Sequence, residues 1–121
     1  MTVVAQERVG RPATEPDVVS REVRVPADDG RLLAGTLYEP PAGGEGPITA
    51  IAAGAGIRRG YYGKFATYLA GHGRPTLTFD YRDIGDSRAG SLKGSQVRMR
   101  DWCILDVPGV LAWMAREHPG R

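Results

Sequence analysis

The chain has 121 residues, of which 41% are hydrophobic, and a formal net charge of +2 at pH 7. These values suit one soluble domain and exclude the dense basic face that nucleic-acid binding requires. No stretch approaches the ~18 apolar residues of a membrane span, and the N-terminus lacks the apolar run of a signal peptide. Residues 1–18 are polar and predict a flexible tail before a domain at 19–121. We predict a cytoplasmic protein with no nucleic-acid partner and no membrane span.

The residues that most often bind metals are few. The chain has one cysteine, Cys103, and two histidines, His72 and His118. A single cysteine excludes an internal disulfide, and the set gives no support to a zinc site. We expect no metal and no cofactor. Cys103 falls in a predicted helix and is expected to pack in the core, whereas both histidines are expected to be structural or solvated.

The first predicted elements are two strands. In "REVRV", Val23 and Val25 alternate with polar residues, which is typical of a half-buried strand. Asp29-Gly30 suits a tight hairpin turn, and "RLLAGTLYEP" has the character of the returning strand. The segment therefore predicts an antiparallel hairpin.

A strand–helix–strand unit is predicted next. "ITAIAAGAG" is a continuous apolar run, as in a strand buried on both faces. In "YYGKFATYLAGHG", Tyr62, Phe65, Ala66 and Leu69 share one helical face, and "RPTLTFD" is a second short strand. Such a unit requires a right-handed crossover and a parallel strand pair.

The last predicted element is helical and spans about residues 96–117. Its apolar residues recur at mostly helical intervals, but Pro108 interrupts them. The proline either kinks one helix or opens the first turn of a second one.

Ser87 stands in "GDSRA", which is close to the G-x-S-x-G turn that presents a nucleophilic serine. That turn needs a buried strand directly before it and a helix directly after it. Ser87 has neither, because several loop residues separate it from the strand that Asp80 closes. We therefore expect Ser87 to hold the loop by bonding nearby backbone, and Asp80 to tie the same loop.

Three segments carry a family resemblance: "LAGTLYEP", "AAGAGIRRGYYGKFATYLAGHGRPTLTFDYRDIGDSR" and "MRDWCILDVPGVLAWM". Together they resemble the N-terminal part of α/β-hydrolases, most closely the serine aminopeptidase-like or monoglyceride lipase-like group, over residues 19–121. The resemblance implies an α/β fold with an antiparallel hairpin, a parallel βαβ unit and a C-terminal helix. It also implies that the nucleophile, acid and histidine follow this segment. The expectation is a partial serine hydrolase for ester or peptide-like acyl substrates that is inactive alone.

The resemblance assigns one catalytic group to this chain. The loop after the apolar strand aligns with the family's oxyanion loop, which makes the backbone N–H of Ala55 an oxyanion-hole donor. The chain departs from the family in two places: Ala53 stands where a histidine is often found, and Asp83 where a glycine is often found.

The neighbouring "RRGYY" segment leaves two interpretations open. Arg58, Arg59, Tyr61 and Tyr62 line an acyl or leaving-group pocket, or else Tyr62 is core and the arginines are solvated. The second interpretation is the one favoured here.

A dinucleotide-binding Rossmann-like module is the alternative hypothesis. Gly54-x-Gly56 follows an apolar strand, and Asp80 ends the next strand, where a ribose-binding acid belongs. Against it, the position of the third glycine is held by Arg59, whose side chain would obstruct helix–strand packing.

Strand order also predicts a partner surface. The hydrolase-like order 1-2-4-3 leaves the strand at residues 48–53, from Ile48 to Ala53, on an open edge. An apolar open edge tends to pair with another strand. We therefore expect dimerisation or complementation by a C-terminal half through this strand.

Overall fold

The computed structural model describes residues 17–41, 47–54, 56–88 and 97–120, so most of the predicted tail lies outside the described residues. The strands are β1 (Val19–Pro26), β2 (Leu32–Glu39), β3 (Thr49–Ala52) and β4 (Thr76–Phe79). The helices are a 3-10 turn (Arg59–Tyr62), α1 (Gly63–Gly71), a second 3-10 turn (Gly85–Ser87), α2 (Met99–Asp101), a π-helical segment (Trp102–Asp106) and α3 (Val107–Glu117).

The predicted hairpin is confirmed. β1 runs antiparallel to β2, with Val25 opposite Leu33. In the turn, the N–H of Ala27 donates to the carbonyl of Arg31 at 2.8 Å. Gly30 has φ +89°, which a residue without Cβ adopts at little cost. The Asp29-Gly30 pair therefore supplies the turn as expected.

The parallel unit and the strand order are also confirmed. β4 lies between β2 and β3, antiparallel to β2 and parallel to β3, which gives the order β1-β2-β4-β3. α1 connects the two parallel strands. The chain thus has the predicted α/β fold, with the carboxyl ends of β3 and β4 at the same edge of the sheet.

The two faces of the sheet differ in chemistry because successive side chains point to opposite sides. One face is apolar, and α3 covers it with Val110, Trp113 and Met114. The opposite face carries threonines and Asp80, and it meets α1, whose Gly63 approaches the Tyr38 hydroxyl. The apolar face contributes Val25, Leu33, Leu37, Leu77 and Phe79 to the main core.

The predicted inner face of α1 was partly wrong. Phe65 is 48% exposed, and the buried positions are Ala66 and Ala70. Two alanines one turn apart let the helix lie close to the sheet, so the larger Phe65 side chain turns outward. The buried face therefore follows residue size as well as apolar spacing.

The last helix continues through Pro108, which stands in the first turn of α3. Proline has no N–H to donate to the carbonyl four residues back, and the helix is locally π-helical just before it. Cys103 lies in that π-helical segment and is exposed, so its predicted core position was wrong. The longest of the described helices is too short and too polar to cross a membrane.

Gly109 lets α3 approach the hairpin turn. A Cβ at this position would lie 2.4 Å from the Cα of Ala27 and 2.5 Å from the carbonyl oxygen of Pro26. Next to this contact, the N–H of Asp28 donates to the carbonyl of Leu105 at 2.8 Å. The helix and the turn are therefore in backbone-to-backbone contact.

We predict that Gly109→Ala destabilises the fold by about 3 kcal/mol, because the backbone that it meets cannot move aside as a side chain would. Alanine's helix preference of about 1 kcal/mol opposes this effect without cancelling it. The matched control is Gly60→Ala, where an added Cβ meets nothing within 4 Å. Denaturant unfolding measures both, and equal midpoints for the two variants would contradict the prediction.

Candidate functional site

Ser87 is a buried structural residue, 4% exposed. Its hydroxyl donates to the carbonyl of Asp80 at 2.7 Å and accepts the N–H of Ala34 at 2.8 Å. It lies in the 3-10 turn Gly85–Ser87, which follows a loop and not a strand. This is the role expected from the sequence: the hydroxyl ties the loop after β4 to β2.

Arg82 anchors the same loop on the apolar side. It forms two 2.9 Å bonds to the carboxylate of Asp29 in the hairpin turn. Its backbone N–H and its Nε each bond the fully buried carboxylate of Asp106 at 2.8 Å. The bonds to Asp29, which outweigh burial, raise the pKa of Arg82, and the bonds from Arg82 hold the pKa of Asp29 below its usual value. Burial raises the pKa of Asp106, although the bonds from Arg82 oppose this.

Asp83 adopts a left-handed backbone conformation, with φ +64°. Glycine accepts this conformation freely, and aspartate is among the few other residues that tolerate it. An ion pair with Arg31, which also bonds the carbonyl of Ser87 at 3.1 Å, holds the Asp83 side chain. The departure from glycine at this position therefore keeps the turn and adds a link to the hairpin.

The loop between β3 and α1 contains a tight turn. The N–H of Ile57 donates to the carbonyl of Gly54 at 3.0 Å, and Gly56 has φ +77°. The N–H of Gly54 donates to the Tyr62 hydroxyl at 3.2 Å. We call residues 54–57 the oxyanion turn, after the role that the family resemblance predicts for them. Ala55, the predicted donor, lies outside the described residues.

Arg59 is the centre of a polar cluster on the α1 face of the sheet. Its guanidinium pairs with Asp80, with Asp86 at 3.0 Å and with Glu22 at 2.6 Å, and its Nε bonds the Thr36 hydroxyl at 3.0 Å. The side chain is only 13% exposed. Burial alone would lower the pKa of Arg59, but its bonds to Glu22 and Asp86 and the charge of Asp80 raise it.

Arg59 was expected to be solvated, and these contacts show that this prediction was wrong. Sequence reasoning missed Glu22 and Asp86 as its partners. Alternation along β1 and β2 was a partial signal for Glu22, because it places Glu22 and Thr36 on the face opposite the core valines; the register that pairs them is known only from the structure. Asp86 carried no such signal, since it sits in an irregular loop.

Two clefts open beside this cluster, and Arg59 and Asp86 line both. One has a volume of about 300 Å³ and reaches along β1 past Glu22 and Arg24. The other has a volume of about 240 Å³ and reaches Arg58. Arg58 and Arg59 therefore do line a cleft, whereas Tyr61 and Tyr62 line neither of these two clefts.

Comparison with solved structures identifies the fold. Brefeldin A esterase, a bacterial homologue of human hormone-sensitive lipase, matches with a TM-score of 0.66 at 16% identity over 94% of this chain and 31% of its own. A cold-adapted esterase from an Arctic intertidal metagenomic library matches with a TM-score of 0.63 at 21% identity, over 87% of this chain and 48% of its own. XC6422 from Xanthomonas campestris, an α/β serine hydrolase without a lid, matches with a TM-score of 0.60 at 15% identity, over 83% of this chain and 46% of its own.

The chain has the fold of an α/β-hydrolase fragment. It spans about a third to a half of the length of these structures. No protein-family model matches the sequence, and no curated protein matches it either.

The chain's two histidines lie away from Ser87. The Nδ1 atom of His72 is 2.9 Å from the carbonyl oxygen of Tyr68 at the end of α1. The ring of His118 packs edge-on to Trp113, with centroids 6.5 Å apart. Both hydrogen bonds of the Ser87 hydroxyl are made to backbone groups, so the described residues bring no imidazole to this serine.

We predict that Ser87→Ala destabilises the fold by about 2 kcal/mol, because it leaves a buried N–H and a buried carbonyl unsatisfied. Ser20→Ala, at an exposed position of β1, is the matched control and should change stability by less than about 0.5 kcal/mol. Thermal or denaturant unfolding provides the measurement. A Ser87→Ala variant as stable as the control would show that the hydroxyl does not hold the loop.

Proposed function

We propose that this chain is the N-terminal part of a serine hydrolase that cleaves an ester or peptide-like acyl bond. The fold shared with esterases supports the proposal, and so does the position of the oxyanion turn at the carboxyl end of β3, beside the end of β4. Ligands and catalytic groups of open α/β sheets gather at that edge. By its motifs the chain resembles the serine aminopeptidase-like or monoglyceride lipase-like group.

In this proposal the chain contributes the N–H of Ala55 to the oxyanion hole. A fixed backbone N–H stabilises the charge that develops on the substrate oxygen, and losing one such donor costs about 3 kcal/mol of transition-state stabilisation. The described residues on either side support the role: Gly56 has a positive φ, the N–H of Ile57 donates to the carbonyl of Gly54, and the N–H of Gly54 donates to the Tyr62 hydroxyl.

We further propose that these 121 residues do not hydrolyse esters by themselves. Acyl transfer of this kind needs a serine activated by a histidine and an acid. Among the chain's four serines, Ser20 lies within β1 and Ser87 is buried in backbone bonds, while Ser91 and Ser95 lie outside the described residues. The nucleophile is assigned to a later strand-to-helix turn of the full hydrolase.

We predict that a fluorophosphonate probe leaves the chain unlabelled, because such probes react with activated serines and Ser87 donates its proton to a carbonyl. Mass spectrometry of the intact chain and of its peptides measures labelling, with an active serine esterase as the positive control. Labelling at Ser87 that disappears in Ser87→Ala would overturn the proposal of inactivity.

The dinucleotide alternative gains no support from Asp80. Its carboxylate is 1% exposed and is already bonded by the N–H and guanidinium of Arg59 and by the N–H of Asp86. A ribose-binding acid must instead present free carboxylate oxygens to the sugar hydroxyls.

We also propose that the open edge of β3 is completed by a strand from the C-terminal half of the hydrolase, or by a second copy when that half is absent. Within the described ranges β3 pairs on one side only, with β4. Its residues are intermediate to exposed, although three of its four residues are apolar.

We also propose that the protein is cytoplasmic, which its single unpaired cysteine supports.

We predict that the isolated chain self-associates and that Ala52→Lys reduces this association. Ala52 is exposed on β3, and a lysine on an edge strand opposes strand pairing. Ala112→Lys, at an exposed position of α3, is the matched control and should leave association unchanged. Size-exclusion chromatography with light scattering measures the mass, and a wild-type chain that stays monomeric at all concentrations would contradict the prediction.

A further inference from the structure

One carboxylate joins the two loops that leave the parallel strands. Asp80 directly follows β4, and its own N–H is bonded to the carbonyl of Ala34 at 2.9 Å. Its Oδ1 accepts the N–H of Arg59 at 2.7 Å, across the gap to the loop after β3. Its Oδ2 accepts the guanidinium of Arg59 and the N–H of Asp86 at 3.0 Å.

The position of this carboxylate is tightly defined. Asp80 is 1% exposed, and a Cβ added to Gly85 would come within 2.7 Å of its Oδ2. The loop after β4 is thus folded closely around the side chain. Because Asp80 directly follows β4 and its side chain is firmly held, the groups that bond its carboxylate are fixed relative to the sheet.

The bond to the N–H of Arg59 fixes the end of the oxyanion turn. Arg59 comes two residues after Ile57, whose N–H closes that turn, and it opens the 3-10 turn that leads into α1. At the other end, Gly54 is bonded to the Tyr62 hydroxyl. The turn is therefore held on both sides by groups outside it.

We propose that Asp80 is a positioning residue for the oxyanion turn: its buried carboxylate holds the Arg59 N–H and so fixes the Ile57 end of the turn relative to the sheet. The catalytic meaning rests on the proposed function, whereas the anchoring itself does not. An oxyanion donor acts only when it is fixed where the substrate oxygen will be, and displacement by about 1 Å removes much of its effect.

The first experiment compares Asp80→Asn with Asp29→Asn by NMR of the full chain. Both changes remove the charge from an arginine-bound carboxylate, but the bond to Asp29 is made by Arg82 in a different part of the fold. We expect only Asp80→Asn to move the Arg59 amide proton upfield and to raise the exchange rates of the Arg59 and Ile57 amides by about tenfold relative to the Leu77 amide. Equal changes in both variants would overturn the proposal.

A second pair of variants isolates the backbone bond. Arg59→Ala and Arg59→Pro both remove the side chain, but only proline also removes the N–H that Asp80 accepts. Proline suits the first position of the 3-10 turn, and Arg58 before it is already extended, with φ −74° and ψ 151°. We expect Ile57 amide exchange to be about tenfold faster in Arg59→Pro than in Arg59→Ala.

The two pairs make the outcome decisive. If Ile57 exchanges equally in both Arg59 variants, Asp80 does not anchor the turn and the proposal fails. If Asp80→Asn does not fold, the Arg59 pair still gives the answer. Labelling of the wild-type chain by a fluorophosphonate would overturn the proposal that the chain is inactive alone, yet it would leave these exchange rates unchanged, so the two failures are distinguishable.

Discussion

Two buried carboxylates hold this structure together, and each binds an arginine in the same way. Asp80 accepts the backbone N–H and the guanidinium of Arg59, and Asp106 accepts the backbone N–H and the guanidinium of Arg82. The first pair lies on the α1 face of the sheet and the second on the α3 face. Removing one partner of such a pair leaves a buried charge unsatisfied, which typically costs 3–5 kcal/mol. The loop after β4 is therefore fixed from both sides of the sheet, and the rest of the site is built on it.

The hairpin and the parallel pair could be predicted from the sequence because local patterns encode them, whereas the strand order was predicted from the family resemblance. Alternating valines, the Asp29-Gly30 turn and the apolar run before Gly54 each specify one element. The structural role of Ser87 was also predictable, since it required only that no strand precede and no helix follow the serine. These features depend on neighbours within a few residues along the chain.

The cluster around Arg59 could not be predicted in the same way. Its acidic partners stand 21 to 37 residues away in sequence, in two separate segments, β1 and the loop after β4. Only the register of the sheet brings Glu22 beside Thr36 and under the arginine.

Two wrong predictions have local causes. Phe65 turns outward because alanines fit closer to the sheet, and Cys103 is exposed in a π-helical stretch that ordinary helical spacing does not describe.

The contact between the hairpin turn and the last helix bears on how the chain folds. The N–H of Asp28 finds its acceptor on Leu105, and Gly109 seats the helix against Ala27. During synthesis the hairpin emerges first, yet this backbone donor stays exposed to water until the helix arrives. Joining segments so far apart in sequence slows folding, because the chain loses entropy before the contact repays it. The hairpin turn therefore gains its last backbone hydrogen bond only when the helix has packed against it.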